Sequence, residues 1–262
     1  MSNHVIINKR IKNFNREIRV SSDKSISIRT LLIASQAVGT SKISNLLESE
    51  DVMNTLKAIK KLGINYKKID NTYEIYGFGL NGFNLKRNTV INAGNSGTLA
   101  RLILGLLVKS KFQVKLIGDN SLSKRDFFRI AEPLRKFGAR INLKKNGLPL
   151  TIKGSNNLQP IKYFEKRGSA QCKSSVILAA LKTPGKTFIK AKKSRNHTEL
   201  LFKYLNLPIK VKKNKNFDLI EIRKVKKIKP IDYTIPSDIS SGAFFIALTV
   251  LTKNSQLIIK NI

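Results

Sequence analysis

The chain has 262 residues, 41% of them hydrophobic, enough for one large or two ordinary domains around a buried core. Its single cysteine, Cys172, excludes a disulfide framework and any cysteine-built metal site, and apolar runs of roughly 11–16 residues are too short to span a bilayer. A formal net charge of +34 invites a nucleic-acid reading, but the lysines are spread along the whole chain among abundant Asn and Ile, without a helix-turn-helix, zinc or RNP signature. The charge is read as a solvated lysine-rich surface that draws in small anions and holds polyanions non-specifically at low salt.

The first segment, MSNHVIINKR, has no apolar h-region, so no secretory signal is expected and the cytoplasm is the expected compartment. A polar, hydroxyl-rich loop then runs into an apolar helix, SSDKSISIRTLLIASQAVG at 21–39. A β stretch (SKISNLL) follows, then a helix-to-strand segment, LKAIKKLGINYKK at 56–68. The same order recurs as AGNSGTLARLILGLLV at 93–108, FQVKLIGDN, and PLRKFGARINLKK at 133–145. It recurs again as GSAQCKSSVILAALKTPG at 168–185, KTFIKAKK, and LFKYLNLPIKVKK at 201–213. A fourth start, PSDISSGAFFIALTVLTKN at 236–254, reaches the strand QLIIKNI at 256–262.

The markers Lys24, Gly97, Gln171 and Ser240 stand 73, 74 and 69 residues apart, so each unit reads as a βαβαββ module. Gly63, Gly138 and Asn206 fall where a helix end needs a left-handed residue. Because the fourth copy lacks its second helix, the sequence is expected to be truncated, or one part of a larger protein.

Chemistry concentrates in the loops that open the apolar helices. The first carries Lys24, Ser25 and Arg29; the second Asn95, Ser96, Gly97, Thr98 and then Arg101; the third Ser169, Ala170, Gln171 and Lys173. Free amide N–H groups at helix N-termini, short hydroxyls and a cation one turn later are the ingredients of an anion site. Gly97, without a Cβ, lets the backbone approach a phosphate or carboxylate. Singly, such loops are also ordinary N-caps. Three at the same phase of a repeat converge on one end of a domain. Two further clusters follow the β stretches: Lys124, Arg125 and Arg129 in IGDNSLSKRDFFRI, at the start of a helix, and Ser194, Arg195, His197 and Thr198 in KKSRNHTELL. Arg125 can grip an oxyanion in bidentate fashion, whereas Arg129 reads equally well as a surface ion pair.

In order and spacing, DKSISIR, GNSGTLAR, GDNSLSKRDFFR, GSAQCKS and SRNHTE resemble the signature segments of the 5-enolpyruvylshikimate-3-phosphate synthase family. The resemblance implies an α/β enolpyruvyl transferase fold of repeated βαβαββ units, helices inside and sheets outside, in two lobes with substrates between them. Mapped onto that plan, residues 20–234 are one complete inserted lobe, and 1–19 with 235–262 are a fragment of the second. The reaction implied is transfer of the enolpyruvyl group of phosphoenolpyruvate to the 5-hydroxyl of shikimate 3-phosphate, with release of phosphate. It implies no metal or organic cofactor, no specific nucleic acid or membrane partner, and a monomeric full-length protein.

Carried over position by position, the resemblance gives shikimate 3-phosphate to Lys24, Ser25, Arg29, Ser169, Ala170, Gln171 and Ser194. It gives phosphoenolpyruvate to Lys24, Asn95, Gly97, Thr98, Arg125 and Gln171. The acids that transfer protons are expected after Ile262, so this polypeptide is expected to bind substrate without turning over. Cys172 reads as core packing, His197 as structural, and Asp238 as a structural residue of its loop. Two alternatives remain: the sister family acting on UDP-N-acetylglucosamine, which relies on a loop cysteine, and a basic nucleic-acid-binding protein on the same repeat.

Overall fold

The computed structural model describes residues 11–262. After β1 (Asn15–Ile18), the first module comprises α1 (Lys24–Ala34), β2 (Val38–Ser44), α2 (Glu50–Lys61) and the hairpin strands β3 (Tyr66–Ile69) and β4 (Thr72–Phe78). The second comprises β5 (Thr89–Asn92), α3 (Gly97–Leu106), β6 (Val114–Ile117), α4 (Asn120–Ser123), α5 (Phe128–Lys136), β7 (Arg140–Lys144) and β8 (Gly147–Lys153). The third comprises β9 (Lys162–Glu165), α6 (Ala170–Ala180), β10 (Lys186–Lys192), α7 (His197–Tyr204), β11 (Ile209–Lys213) and β12 (Phe217–Arg223). Last come β13 (Asp232–Thr234), α8 (Ile239–Leu251) and β14 (Gln256–Ile259).

The chain divides into two compact units, one from Lys24 to Ile235 and one formed by the segment up to Asp23 with Pro236–Ile262. In the larger unit each module builds a four-stranded sheet on one plan, a parallel pair extended by an antiparallel hairpin: β5-β6-β8-β7, β9-β10-β12-β11 and β13-β2-β4-β3. The first module therefore takes its opening strand from beyond the third, with Asp232 opposite Lys42 and Thr234 opposite Ser44.

The sheets present one face to water, as the alternation along β10 records: Thr187, Ile189 and Ala191 are buried, while Lys186, Phe188, Lys190 and Lys192 are exposed. The first helix of each module lies inside. Every residue of α3 is buried, as are Ser27–Ala34 of α1 and Cys172–Ala180 of α6. The second helices are amphipathic, burying Val52, Leu56 and Ile59 of α2 and Ile130 and Leu134 of α5. Gly63, Gly138 and Asn206 follow the ends of α2, α5 and α7 with φ of +86°, +109° and +52°, the left-handed geometry expected of them.

Two β stretches differ from their expected bounds. The strand expected over SKISNLL begins three residues earlier, at Val38, and ends at Ser44 because Asn45 turns left-handed, with φ of 57°. In FQVKLIGDN the strand stops at Ile117, and Asp119 caps α4 by accepting the Leu122 amide at 2.6 Å. Arg125 consequently lies in the connection between α4 and α5 rather than in a helix.

In the smaller unit β1 and β14 pair in parallel, and Asp238 caps α8 by accepting the Ser240 amide at 2.9 Å. Phe244 and Leu251 on α8 are each 84% exposed. Among the described residues no helix is long and apolar enough to cross a membrane.

Candidate functional site

The repeat brings the N-termini of α1, α3, α6 and α7 to one pocket of about 340 Å3. Ser25 and Arg29, Thr98, Ser169, Ala170 and Gln171, and Ser194 line it, together with Gly168, Arg195 and His197. Six of the seven residues assigned to shikimate 3-phosphate thus share a wall. The seventh, Lys24, opens α1 and is half-exposed, paired with Asp51 at 2.9 Å.

Arg29 is buried, and its fork ties three helices together. Nε donates to Thr198 Oγ1 at 2.8 Å, Nη1 to the Ser25 carbonyl at 2.8 Å and Nη2 to Ser174 Oγ at 3.3 Å. Ser174 also meets Thr198 Oγ1 at 2.7 Å. These bonds fix a permanent cation in the pocket wall, where solvent screening is weak. Ser169 caps α6 by accepting the Cys172 amide at 3.3 Å, while its own amide donates to Glu165 at 2.8 Å. The buried Ser194 hydroxyl is bonded to nothing among the described residues, which leaves it available to a ligand.

The second group stands around Gly97. Arg125 donates to Asn95 Oδ1 at 2.9 Å. A Cβ on Gly97 would lie 2.7 Å from Arg101 Nη1 and 2.9 Å from Arg125 Nη1, so two guanidinium groups flank a bare stretch of backbone. That is the setting for an oxyanion approaching the start of α3. The two groups are joined by Gln171, whose Oε1 accepts from Arg101 Nη1 at 2.7 Å and whose Nε2 donates to Thr98 Oγ1 at 2.9 Å. Burial, then the charge of Arg129, draws Arg101 down to about 10, still fully protonated at neutral pH. Its guanidinium lies 5.1 Å from the centre of the Phe127 ring.

Residues 8–262 match the family model described as EPSP synthase (3-phosphoshikimate 1-carboxyvinyltransferase). The chain belongs to the EPSP synthase family. It is 40% identical over 255 residues to a 3-phosphoshikimate 1-carboxyvinyltransferase of Petrotoga mobilis, covering 96% of this chain and 58% of that protein. A protein of the same name from Persephonella marina is 39% identical over 249 residues, covering 94% and 57%. The structure of EPSP synthase from Acinetobacter baumannii superposes with a TM-score of 0.86 at 34% identity, over 96% of this chain and 56% of that one. The chain thus spans about 58% of the length of the curated relatives it matches.

Within this EPSP synthase family chain, three site features lie beyond what sequence pattern assigns. Arg101 is visible as a cation one turn after Gly97, but its hold on Gln171 spans 70 residues. Thr198 is named in the sequence cluster after the third β stretch, but its brace on Arg29, shared with Ser174 inside α6, is not visible there. His197, read as structural, stands on the pocket wall beside Arg195. Cys172 is 1% exposed and burial pushes its thiol up, so it packs in the core and is no thiolate nucleophile.

Proposed function

We propose that the chain serves the transfer of the enolpyruvyl group of phosphoenolpyruvate to the 5-hydroxyl of shikimate 3-phosphate, on the shikimate pathway to chorismate and the aromatic amino acids, and supplies the anion-binding half of that site. The observation that carries this reading is the meeting of four helix N-termini at one pocket whose described lining offers hydroxyls, an amide side chain, His197 and the guanidinium groups of Arg29 and Arg195, with no carboxylate. Lys24, Ser25, Arg29, Ser169, Ala170, Gln171 and Ser194 hold shikimate 3-phosphate. Lys24, Asn95, Gly97, Thr98, Arg125 and Gln171 meet phosphoenolpyruvate. Gln171 serves both because it stands between the Arg101–Gly97 group and the pocket wall.

The chemistry explains the residue types. Protonation of the enol carbon creates cationic character on its neighbour, the hydroxyl attacks there, and the tetrahedral adduct expels phosphate. Both substrates are polyanions that repel one another unless cations neutralise them. One unit-charge pair at 4 Å is worth about 4 kcal/mol at an effective dielectric near 20.

The carboxylates adjoining these loops are engaged elsewhere: Asp51 with Lys24, Glu165 with the Ser169 amide, and Glu199 with Lys173. The family resemblance implies that proton transfer falls to acids expected after Ile262, with no metal or organic cofactor. Residues 20–234 serve as the complete inserted lobe, and 1–19 with 235–262 as part of a second lobe. The reaction belongs in the cytoplasm, and the whole protein acts as a monomer. With its only cysteine inside α6, the chain lacks the loop cysteine of the UDP-N-acetylglucosamine enzymes.

Phosphate release tests this, measured on the purified 262-residue chain with both substrates, with and without a separately expressed C-terminal part of a relative. Release is expected only with the added part. Calorimetry on the chain alone is expected to give shikimate 3-phosphate binding, weakened about tenfold or more by Gln171→Ala. Turnover at ordinary rates by the chain alone overturns the placement of the acids. Absence of shikimate 3-phosphate binding overturns the reading itself.

A further inference from the structure

Lys182 follows the C-terminal end of α6, roughly 16 Å along the helix from Gln171, and belongs to neither anion group of the substrate pocket. It is 4% exposed. Its Nζ donates to the Leu106 carbonyl at 2.7 Å and stands 5.0 Å from the Phe83 ring centre. Among the described residues no carboxylate pairs with it. An ammonium left with one carbonyl and one ring face is poorly compensated for its lost hydration.

The space in front of it is built. A cavity of about 310 Å3 is lined by Asn81, Phe83, Lys109, Ser110, Lys111 and Phe112 around Lys182. An adjoining one of about 270 Å3 shares Asn81, Lys109 and Lys182 and adds Lys224 and Lys226. Lys109, Lys111 and Lys182 line the first cavity and Lys109, Lys182, Lys224 and Lys226 the second, and among the described residues no carboxylate lines either. The lining interleaves cations and amide or hydroxyl donors with the rings of Phe83 and Phe112 and with Leu80 and Leu85, Lys182 standing over the first ring and Lys111 5.6 Å from the centre of the second. A site of this size and mixed lining suits a small organic ligand.

We infer that this cavity is a second binding site, for a small organic anion whose sulfonate, phosphate or carboxylate group meets Lys182, Lys109 and Lys111 while its apolar body lies against Phe83 and Phe112. The site is independent of the proposed transfer reaction. Its acid–base behaviour distinguishes it from a generally basic surface. Burial, and then the charge of Lys109, pull the Lys182 amine down to about 7. The other charged groups facing it are Lys111, from the same segment as Lys109, and Lys224 and Lys226 after β12, all cationic; Arg87 stands over the outer ring, 6.0 Å from the centre of Phe112. A bound anion favours the ammonium form, so occupancy takes up a proton and affinity falls as pH rises past 7.

Benzenesulfonate and sulfate keep constant charge between pH 6 and 9, so calorimetry with these probes on the full chain isolates the protein's titration. Wild type is expected to bind benzenesulfonate roughly 30-fold more weakly at pH 8.5 than at pH 6, and to take up close to one proton per ligand at pH 8.5 in buffers of different ionisation enthalpy. Lys182→Met is expected to lose at least tenfold in affinity at pH 6 together with the pH dependence, its folding verified by a circular-dichroism melt. Should that variant not fold, Lys109→Ala/Lys111→Ala is expected to weaken binding to a similar extent while the Lys182 13Cε resonance of wild type moves its midpoint upward on saturation. Undiminished binding in these variants, affinity set by ionic strength alone, or no binding of either probe overturns the inference.

Discussion

Arg125 and Lys182 show how burial decides what a cation does. Arg125 is exposed and anchored through Asn95, so its charge is available to a ligand and contributes little to folding. Arg125→Ala is expected to leave stability within about 0.5 kcal/mol while weakening phosphoenolpyruvate binding in the assembled enzyme at least tenfold, read from the Michaelis constant and a thermal melt. Lys182 is the opposite case. Its folded-state value near 7 lies below that of the unfolded chain, so the unfolded state holds more protons between pH 7 and about 10.5. Stability from this residue therefore rises with pH across that window, by up to about 1.4 kcal/mol per pH unit. Denaturant unfolding of wild type against Lys182→Met at pH 7, 8 and 9 checks it: wild type is expected to gain on the variant at each step. Sequence pattern singles out Arg125 by its cationic cluster after a β stretch, although it places the residue at a helix start rather than in the connection it occupies. It is silent on Lys182, because desolvation depends on what other segments cover.

At the scale of elements, the pocket is held by contacts between inner helices. The Gly105 backbone of α3 approaches α6 so closely that a Cβ would lie 2.3 Å from the Ser175 carbonyl. Gly105→Ala is expected to cost about 1–3 kcal/mol by forcing the helices apart, seen as a lower denaturation midpoint, and to weaken shikimate 3-phosphate binding because Thr98 and Gln171 sit on the separated helices. Next to it, Lys173 of α6 and Glu199 of α7 form a buried pair at 2.6 Å. Glu199→Gln leaves an unpaired buried ammonium, for a loss of about 3–5 kcal/mol, whereas Lys173→Met/Glu199→Leu is expected to recover most of it. A double-mutant cycle by chemical denaturation measures the difference. The helices themselves are legible from their apolar runs and from the residues at their ends. Which helices touch, and at which residue, is not: small residues occur along any buried helix, and only the packed arrangement sets Gly105 against Ser175.

For the whole molecule, a charge of +34 makes polyanion binding a matter of ionic strength. RNA is expected to compete with shikimate 3-phosphate near 20 mM salt, with apparent affinity falling at least a hundredfold by about 200 mM, while the small ligand, on the proposed contact with Arg29 and its neighbours, is expected to lose far less. Competition calorimetry across salt checks this; RNA binding that persists at high salt would favour a dedicated nucleic-acid surface. The family, the three-module plan and most of the residues that line the pocket at the inner-helix N-termini are legible in the amino-acid sequence, because five motifs stand in order along the repeat.

The sequence by itself determined the local features: apolar runs that become inner helices, hydroxyl caps at their starts, left-handed residues at their ends, and the spacing that repeats them. Each depends on residues within a turn or two of one another. Only the tertiary structure decided that β13 completes the first sheet, that Gln171 is held between Arg101 and Thr98, that Arg29 is braced by Thr198 and Ser174, and that Lys182 is buried without a counter-charge among the described residues. Those outcomes depend on contacts across tens to hundreds of residues, where neither propensity nor periodicity selects a partner and burial sets the strength of every charge.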